Sequence, residues 1–192
     1  MQDNKTYSLH GIFRADTSRK SKTAGFTIVE LLIVIVVIGI LAAITIVAYN
    51  GIQQRARDTA RKSDLAAIAK LLNLYKIDKG DFVGAGSGCG SGGNGDGFFN
   101  YQDGTSYPVS VMNCLKNAGY TNSTLIDPSG LANCNGLTCH AYMKYTCTQN
   151  GSVVTYVYAN LEGLPHTASD TDGTCSGVVD SSYGMNYHVK VE

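Results

Sequence analysis

Gly25-Phe26-Thr27-Ile28-Val29-Glu30-Leu31-Leu32 opens the stretch that decides the fold, and Ile33 to Ile44 continues it with apolar residues and a single glycine, Gly39. From Leu31 to Ala48 there are 18 residues without a charge. As a helix rising 1.5 Å per residue, that run is about 27 Å long, near the thickness of a bilayer core. A cleavable secretory signal has a shorter apolar core of about 7–15 residues and then a small-residue cut site. Apolar residues continue past Ala42 and Ala43. A retained transmembrane helix is expected. Glu30 is its anomaly, because a carboxylate in hydrocarbon costs roughly 2.5–3.5 kcal/mol on insertion scales.

Charge is unevenly spread along the 192 residues, although the net charge is zero. Lys5, Arg14, Arg19, Lys20 and Lys22 face only Asp3 and Asp16 in residues 1–25, so a basic head precedes the apolar run. The neutral to acidic remainder offers no footprint for nucleic acid. Basic residues do not orient the span. Arg14, Arg19, Lys20 and Lys22 before it are matched by Arg55, Arg57, Arg61 and Lys62 after it. The cysteines do orient it. Cys89, Cys114, Cys134, Cys139, Cys147 and Cys175 all follow the span. An even number on one side suits disulfides in an exported domain. The N-terminus is therefore expected in the cytoplasm and the C-terminal part outside.

The helix does not stop at the membrane. Polar residues enter after Tyr49, while Ile52, Ala56, Ala60, Ala67, Leu71 and Leu74 recur at helical spacing, with Leu65, Ile68, Leu72 and Tyr75 alongside. Asp58 can pair with Arg61 and Lys62 one turn on. No proline interrupts Phe26 to Lys79, so one helix from Phe26 to Ile77, roughly 78 Å long, is expected. Lys79, Gly80 and Asp81 end it. Residues 84–97 are glycine-rich around Cys89 and read as a flexible loop tied by that cysteine. They lack the Gly-Lys-Ser/Thr ending of a phosphate loop.

A short helix is expected over Val109 to Gly119. Ala141 to Cys147 and Ser152 to Leu161 read as strands, joined by the hairpin signal Asn150-Gly151. Ser182 to Val191 reads as a third strand. The fold class is α+β: a long N-terminal transmembrane-to-amphipathic helix on a C-terminal antiparallel sheet.

The residues at the head of the helix, Gly25 to Leu32 with Ile38-Gly39-Ile40-Leu41-Ala42-Ala43-Ile44, closely resemble the N-terminal signature of type IV pilins and their relatives, the secretion pseudopilins and DNA-uptake pilins. The resemblance implies a leader over residues 1–25, a transmembrane or filament-core half of the helix over 26–48, an amphipathic half over 49–79, and an extracytoplasmic disulfide-bearing domain over 80–192. It implies a prepilin peptidase that cuts between Gly25 and Phe26 and methylates the new amine of Phe26. It implies that Glu30 faces the Phe26 amine of a neighbouring copy in a helical filament, setting axial register more than adding bulk stability. Implied partners are further copies of the chain, the peptidase, a pilus or secretion assembly machine with its ATPase, and the cytoplasmic membrane before assembly. The implied destination is a cell-surface filament. A retained Glu30 fits an ordinary filament-forming subunit better than a tip-initiating one.

The sequence departs from the family pattern in two places. Val47 stands before Ala48-Tyr49 where many pilins have proline, which weakens the family expectation that this stretch unwinds in filaments. A leader of 25 residues is long against the common short-leader class.

Other chemistry has less support. Six cysteines allow three disulfides in 15 connectivities, with Cys134 and Cys139 a candidate for closing a small loop. A zinc site from Cys134, Cys139, His140 and Cys147 is the alternative, against which stand its spacing and the exported setting. Asp170, Asp172 and Gly173, with Asp180 nearby, resemble a fragment of a calcium loop, without the full spacing or the distal glutamate. No His-Glu-x-x-His or Gly-x-Ser-x-Gly pattern is present. No enzyme activity and no cofactor are expected. Two other readings stand beside the filament-forming prepilin. One is a pseudopilin of a secretion or competence machine. The other is a membrane-anchored binding or enzymatic domain using the helix as a signal anchor.

Overall fold

The computed structural model describes residues 25–81, 83–84, 87–166, 175 and 177–191. The basic head, and all of the leader but Gly25, lie outside them. Contacts divide the chain into a first unit ending at Ile44 and a second from Thr45 onward. In its described part the first unit is helix from Ile28 onward, and its side chains are exposed throughout.

Helix α1 spans Ile28–Lys79. Its end follows from Gly80, whose φ of +81° suits glycine and whose N–H closes on the Lys76 carbonyl at 2.8 Å. Within the second unit the buried face of α1 is Arg61, Leu65, Ile68, Ala69 and Leu72. That corrects the expected stripe. Ile52 and Leu74 are 65% and 52% exposed, and the residues read as lying alongside form the core face. Spacing of three and four fits either set. The face is chosen by what Arg61 must reach.

Four strands follow: β1 (Gly97–Phe98), β2 (Met143–Gln149), β3 (Ser152–Ala159) and β4 (Tyr187–Val191). They pair antiparallel in the order β1-β2-β3-β4. The β2–β3 hairpin turns on Asn150 and Gly151, both at positive φ, as a two-residue primed turn requires. Alternation along β3 splits the core. Val157 and Ala159 join Leu65, Ile68, Leu72, Phe99, Val111 and Leu115 on the α1 side. Tyr156 and Tyr158 join Phe98, Met143, Val179 and Met185 on the other.

Helix α2 is Val111–Asn117, inside the expected span, with Ser110 Oγ accepting the Asn113 N–H at 3.2 Å as its N-cap. Helix α3, Gly177–Tyr183, corrects the third strand. Residues 182 and 183 are helical, and β4 starts only at Tyr187. Gly184, at φ +66°, makes the break. Val179 of this helix is buried.

Residues 84–97 are not a loose loop where they are described. Ser91 and Asp96 exchange backbone hydrogen bonds, and Cys89 pairs with Val109 as an isolated bridge. Gly97 begins β1. A Cβ at Gly95 would meet Cys89 O at 2.7 Å and Gly84 Cα at 2.8 Å. The glycines here let backbone pack on backbone.

Candidate functional site

The N-terminus of α1 is built by four residues. Glu30 Oε2 accepts hydrogen bonds from the N–H and the hydroxyl of Thr27, both at 2.7 Å. Thr27 Oγ1 accepts the Glu30 N–H in return, at 3.2 Å. This is a capping box, with Thr27 as N-cap and Glu30 three residues on. Phe26 and Leu31 occupy the positions of a hydrophobic staple, and both line one recess beside Glu30. The Leu31 N–H donates to Thr27 O at 3.2 Å, which starts the helical ladder. Gly25 and Phe26 precede the helix in non-helical backbone. Phe26 is 86% exposed, and nothing crowds Gly25. Thr27-x-x-Glu30 is a local capping signal, separate from the reading of Glu30 as a charge in hydrocarbon and as the partner of an amine.

Past the cap, α1 presents apolar side chains to the surroundings on every side from Ile28 to Val47. It is the one helix among the described residues that is long and apolar enough to cross a membrane.

The amphipathic part of α1 carries a second cluster. Arg61, fully buried, donates from Nε to Asp127 Oδ2 at 2.7 Å. Its Nη1 donates to Asp58 Oδ1 at 2.9 Å and Glu162 Oε1 at 2.8 Å. Arg57 donates to both Glu162 oxygens, at 2.7 and 2.5 Å. Asp58 accepts the backbone N–H groups of Glu162 and Gly163, each at 2.9 Å. The Arg57 fork holds the Glu162 carboxyl down at about 2. Burial opposes the Arg61 charge, but the bonds from Asp127 and Glu162 outweigh it and raise the guanidinium above its ordinary value. Burial, then Asp64, raises the Tyr142 hydroxyl, which donates to Asp64 Oδ2 at 2.7 Å. Lys62, expected to pair with Asp58, lies over the Tyr187 ring at 5.5 Å instead.

The cysteines pair as Cys89–Cys114, Cys134–Cys139 and Cys147–Cys175. That overturns the zinc alternative, because its three thiols are spent in two disulfides. His140 has its Nδ1 3.1 Å from the Asn160 carbonyl oxygen. Among the described residues no group of three His, Cys, Asp or Glu could hold a metal. Asp170 and Asp172 of the calcium fragment, and the side chain of Asp180, lie outside the described residues.

Comparison with known proteins bears on the N-terminal part. The family model described as the prokaryotic N-terminal methylation motif matches residues 20–46. The type II secretion system core protein G of Pseudomonas aeruginosa is 37% identical over 60 residues, 31% of this chain and 42% of that protein. The core protein G of Escherichia coli is 37% identical over 57 residues, 30% of this chain and 39% of that one. The type IV wide pilus major component PilA4 of Thermus thermophilus is 41% identical over 59 residues, 31% of this chain and 45% of that one. The chain spans less than half the length of these relatives. No solved structure matches it. Motif, helix and relatives make the N-terminal part of the chain similar to the type IV pilin and pseudopilin family. That is a family of structural subunits rather than a class of enzymes.

Proposed function

We propose that the chain is a prepilin subunit. It is cut between Gly25 and Phe26, methylated on the Phe26 amine, and held in the cytoplasmic membrane with its N-terminus inside. It then polymerises with other copies into a type IV pilus-like filament at the cell surface. The observation that carries this reading is an apolar helix exposed on all sides and headed by a capped Glu30. A helix of that kind needs lipid before assembly and neighbouring helices after it. Burying it against other copies offsets its removal from the bilayer. Glu30 then has the exposed N-terminus of a neighbour as its counter-ion.

Intact mass of the mature protein tests the processing. The expected product begins at Phe26, carries one methyl group, and has lost six hydrogens to three disulfides. An uncut chain would reject the reading. Glu30→Leu tests the assembly step, with loss of filaments and unchanged membrane insertion expected.

The matches to core protein G favour a second reading, a pseudopilin of a secretion or DNA-uptake machine. Deletion of the gene separates the two. Loss of surface filaments with secretion intact supports a pilin. Loss of secretion without loss of filaments supports a pseudopilin.

A further inference from the structure

We propose that Lys144 supplies, from within the chain, the cation of an oxygen-lined site that pins the glycine-rich segment 84–97 to the sheet. The Lys144 side chain is fully buried. Its Nζ donates to the Asn94 carbonyl at 2.6 Å, to the Gly95 carbonyl at 3.4 Å, and to Thr146 Oγ1 at 3.2 Å. Asp96 Oδ1 lies 3.5 Å away. Two carbonyls, a hydroxyl and a carboxylate are the oxygen set that a loop offers to a hard cation. Here an ammonium on a four-carbon stem takes that place.

The sheet register explains how it gets there. Lys144 pairs with Val157, and Thr146 pairs with Thr155, which puts all four on the α1 side of the sheet. Gly97 of β1 pairs with Lys144 as well, so the residues just before β1 fall over its side chain. The segment cannot anchor itself by apolar burial, because most of its positions are glycine. Its other ties include the Cys89–Cys114 disulfide, the Cys89–Val109 bridge with hydrogen bonds from Gly90 N–H to the Val109 carbonyl and from Val109 N–H to the Gly88 carbonyl, and the Ser91–Asp96 turn within the segment.

Burial pushes the Lys144 ammonium down and the Asp96 carboxyl up from their usual ranges. Lys144 therefore depends on Asp96 and the carbonyls to stay charged, and Asp96 depends on Lys144 and Thr146. Such a buried pair contributes more to choosing one loop conformation than to total stability. The pinned segment forms a wall of a surface recess that Lys76, Asp81, Asn94 and Val153 also line. The shape of that recess is thus set by a tethered cation and needs no bound metal.

Hydrogen exchange of the full chain in detergent micelles, read by mass spectrometry, tests this. Lys144→Met keeps an unbranched stem, one heavy atom shorter, and removes the ammonium. Amides of residues 90–97 are expected to exchange about 10-fold faster or more, with β3 and β4 protection retained. Unchanged exchange over 90–97 would overturn the proposal. Should Lys144→Met fail to fold, Thr146→Val removes one oxygen of the cage. It is expected to speed the same amides roughly threefold, and no change there would overturn the proposal equally. Addition of EDTA to the unaltered protein should leave those amides as they were. Selective loosening by the chelator would mean that a bound metal holds the segment, and would also overturn it.

Discussion

Arg61 Nε and Asp127 Oδ2 lie 2.7 Å apart, 66 residues distant in sequence and both out of reach of solvent. Asp58 and Glu162 complete the acceptors around the guanidinium. Removing one member of a buried pair leaves the others uncompensated, at a cost of about 3–5 kcal/mol. Arg61→Leu is therefore expected to destabilise the domain by about that amount in urea unfolding. Arg55→Leu, two turns earlier and exposed, should change it by less than about 0.5 kcal/mol. Equal effects would sink the reading of Arg61 as the centre of the cluster.

Acid stability follows from Glu162. Its folded value, about 2, is depressed below the ordinary 4.5 by the Arg57 fork. A depressed carboxyl contributes stability that is complete above the unfolded value and lost as pH falls toward the folded one. The melting temperature should thus drop between about pH 4.5 and pH 2. In Glu162→Gln that drop should be shallower, from a lower starting point at neutral pH. A variant with an unchanged acid slope would count against the pair.

At the head of α1, Thr27→Ala removes the hydroxyl that caps the helix and with it one of the two donors to Glu30. Amide exchange in the first turn should rise roughly 5-fold, the usual worth of an N-cap. Thr27→Ser keeps the hydroxyl and should exchange as the unaltered chain does. The comparison reads the cap alone, whatever filament assembly does.

Two glycines of the 84–97 segment share a positive φ but not a setting. Gly92 has open space around its missing Cβ, whereas Gly95 faces backbone atoms under 3 Å away. Gly92→Ala should cost about 1–2 kcal/mol, the left-handed penalty alone. Gly95→Ala should cost more, because carbonyl oxygens cannot step aside as a flexible side chain can. Thermal melting of the two variants side by side ranks them.

Much of this architecture was legible in the residues. The apolar run, its amphipathic continuation and Gly80 define α1, and Asn150-Gly151 defines the β2–β3 hairpin. What stayed hidden depended on long-range partners. Arg61 reads as a solvated charge until Asp127 and Glu162 are brought to it. Segment 84–97 reads as loose because glycine composition is the same for a mobile chain and for tightly folded backbone. Ser182 and Tyr183 read as the start of a strand, and Gly184 at positive φ is where the helix before them breaks from β4. Thr27 and Glu30 needed no partner from elsewhere, and their spacing was readable from the start.

The three disulfides join residues 25, 5 and 28 apart, and none of them includes a residue of α1. Any mechanical load that reaches the second unit along its helix therefore passes to the sheet through non-covalent links and the backbone that leaves Lys79, with no cross-link between helix and sheet. The non-covalent links include the Asp58, Arg57 and Arg61 polar contacts at one level, and Asp64 with Leu65, Ile68 and Leu72 at the next. Under a pull the domain would part from its helix there, while each cross-linked loop stayed closed.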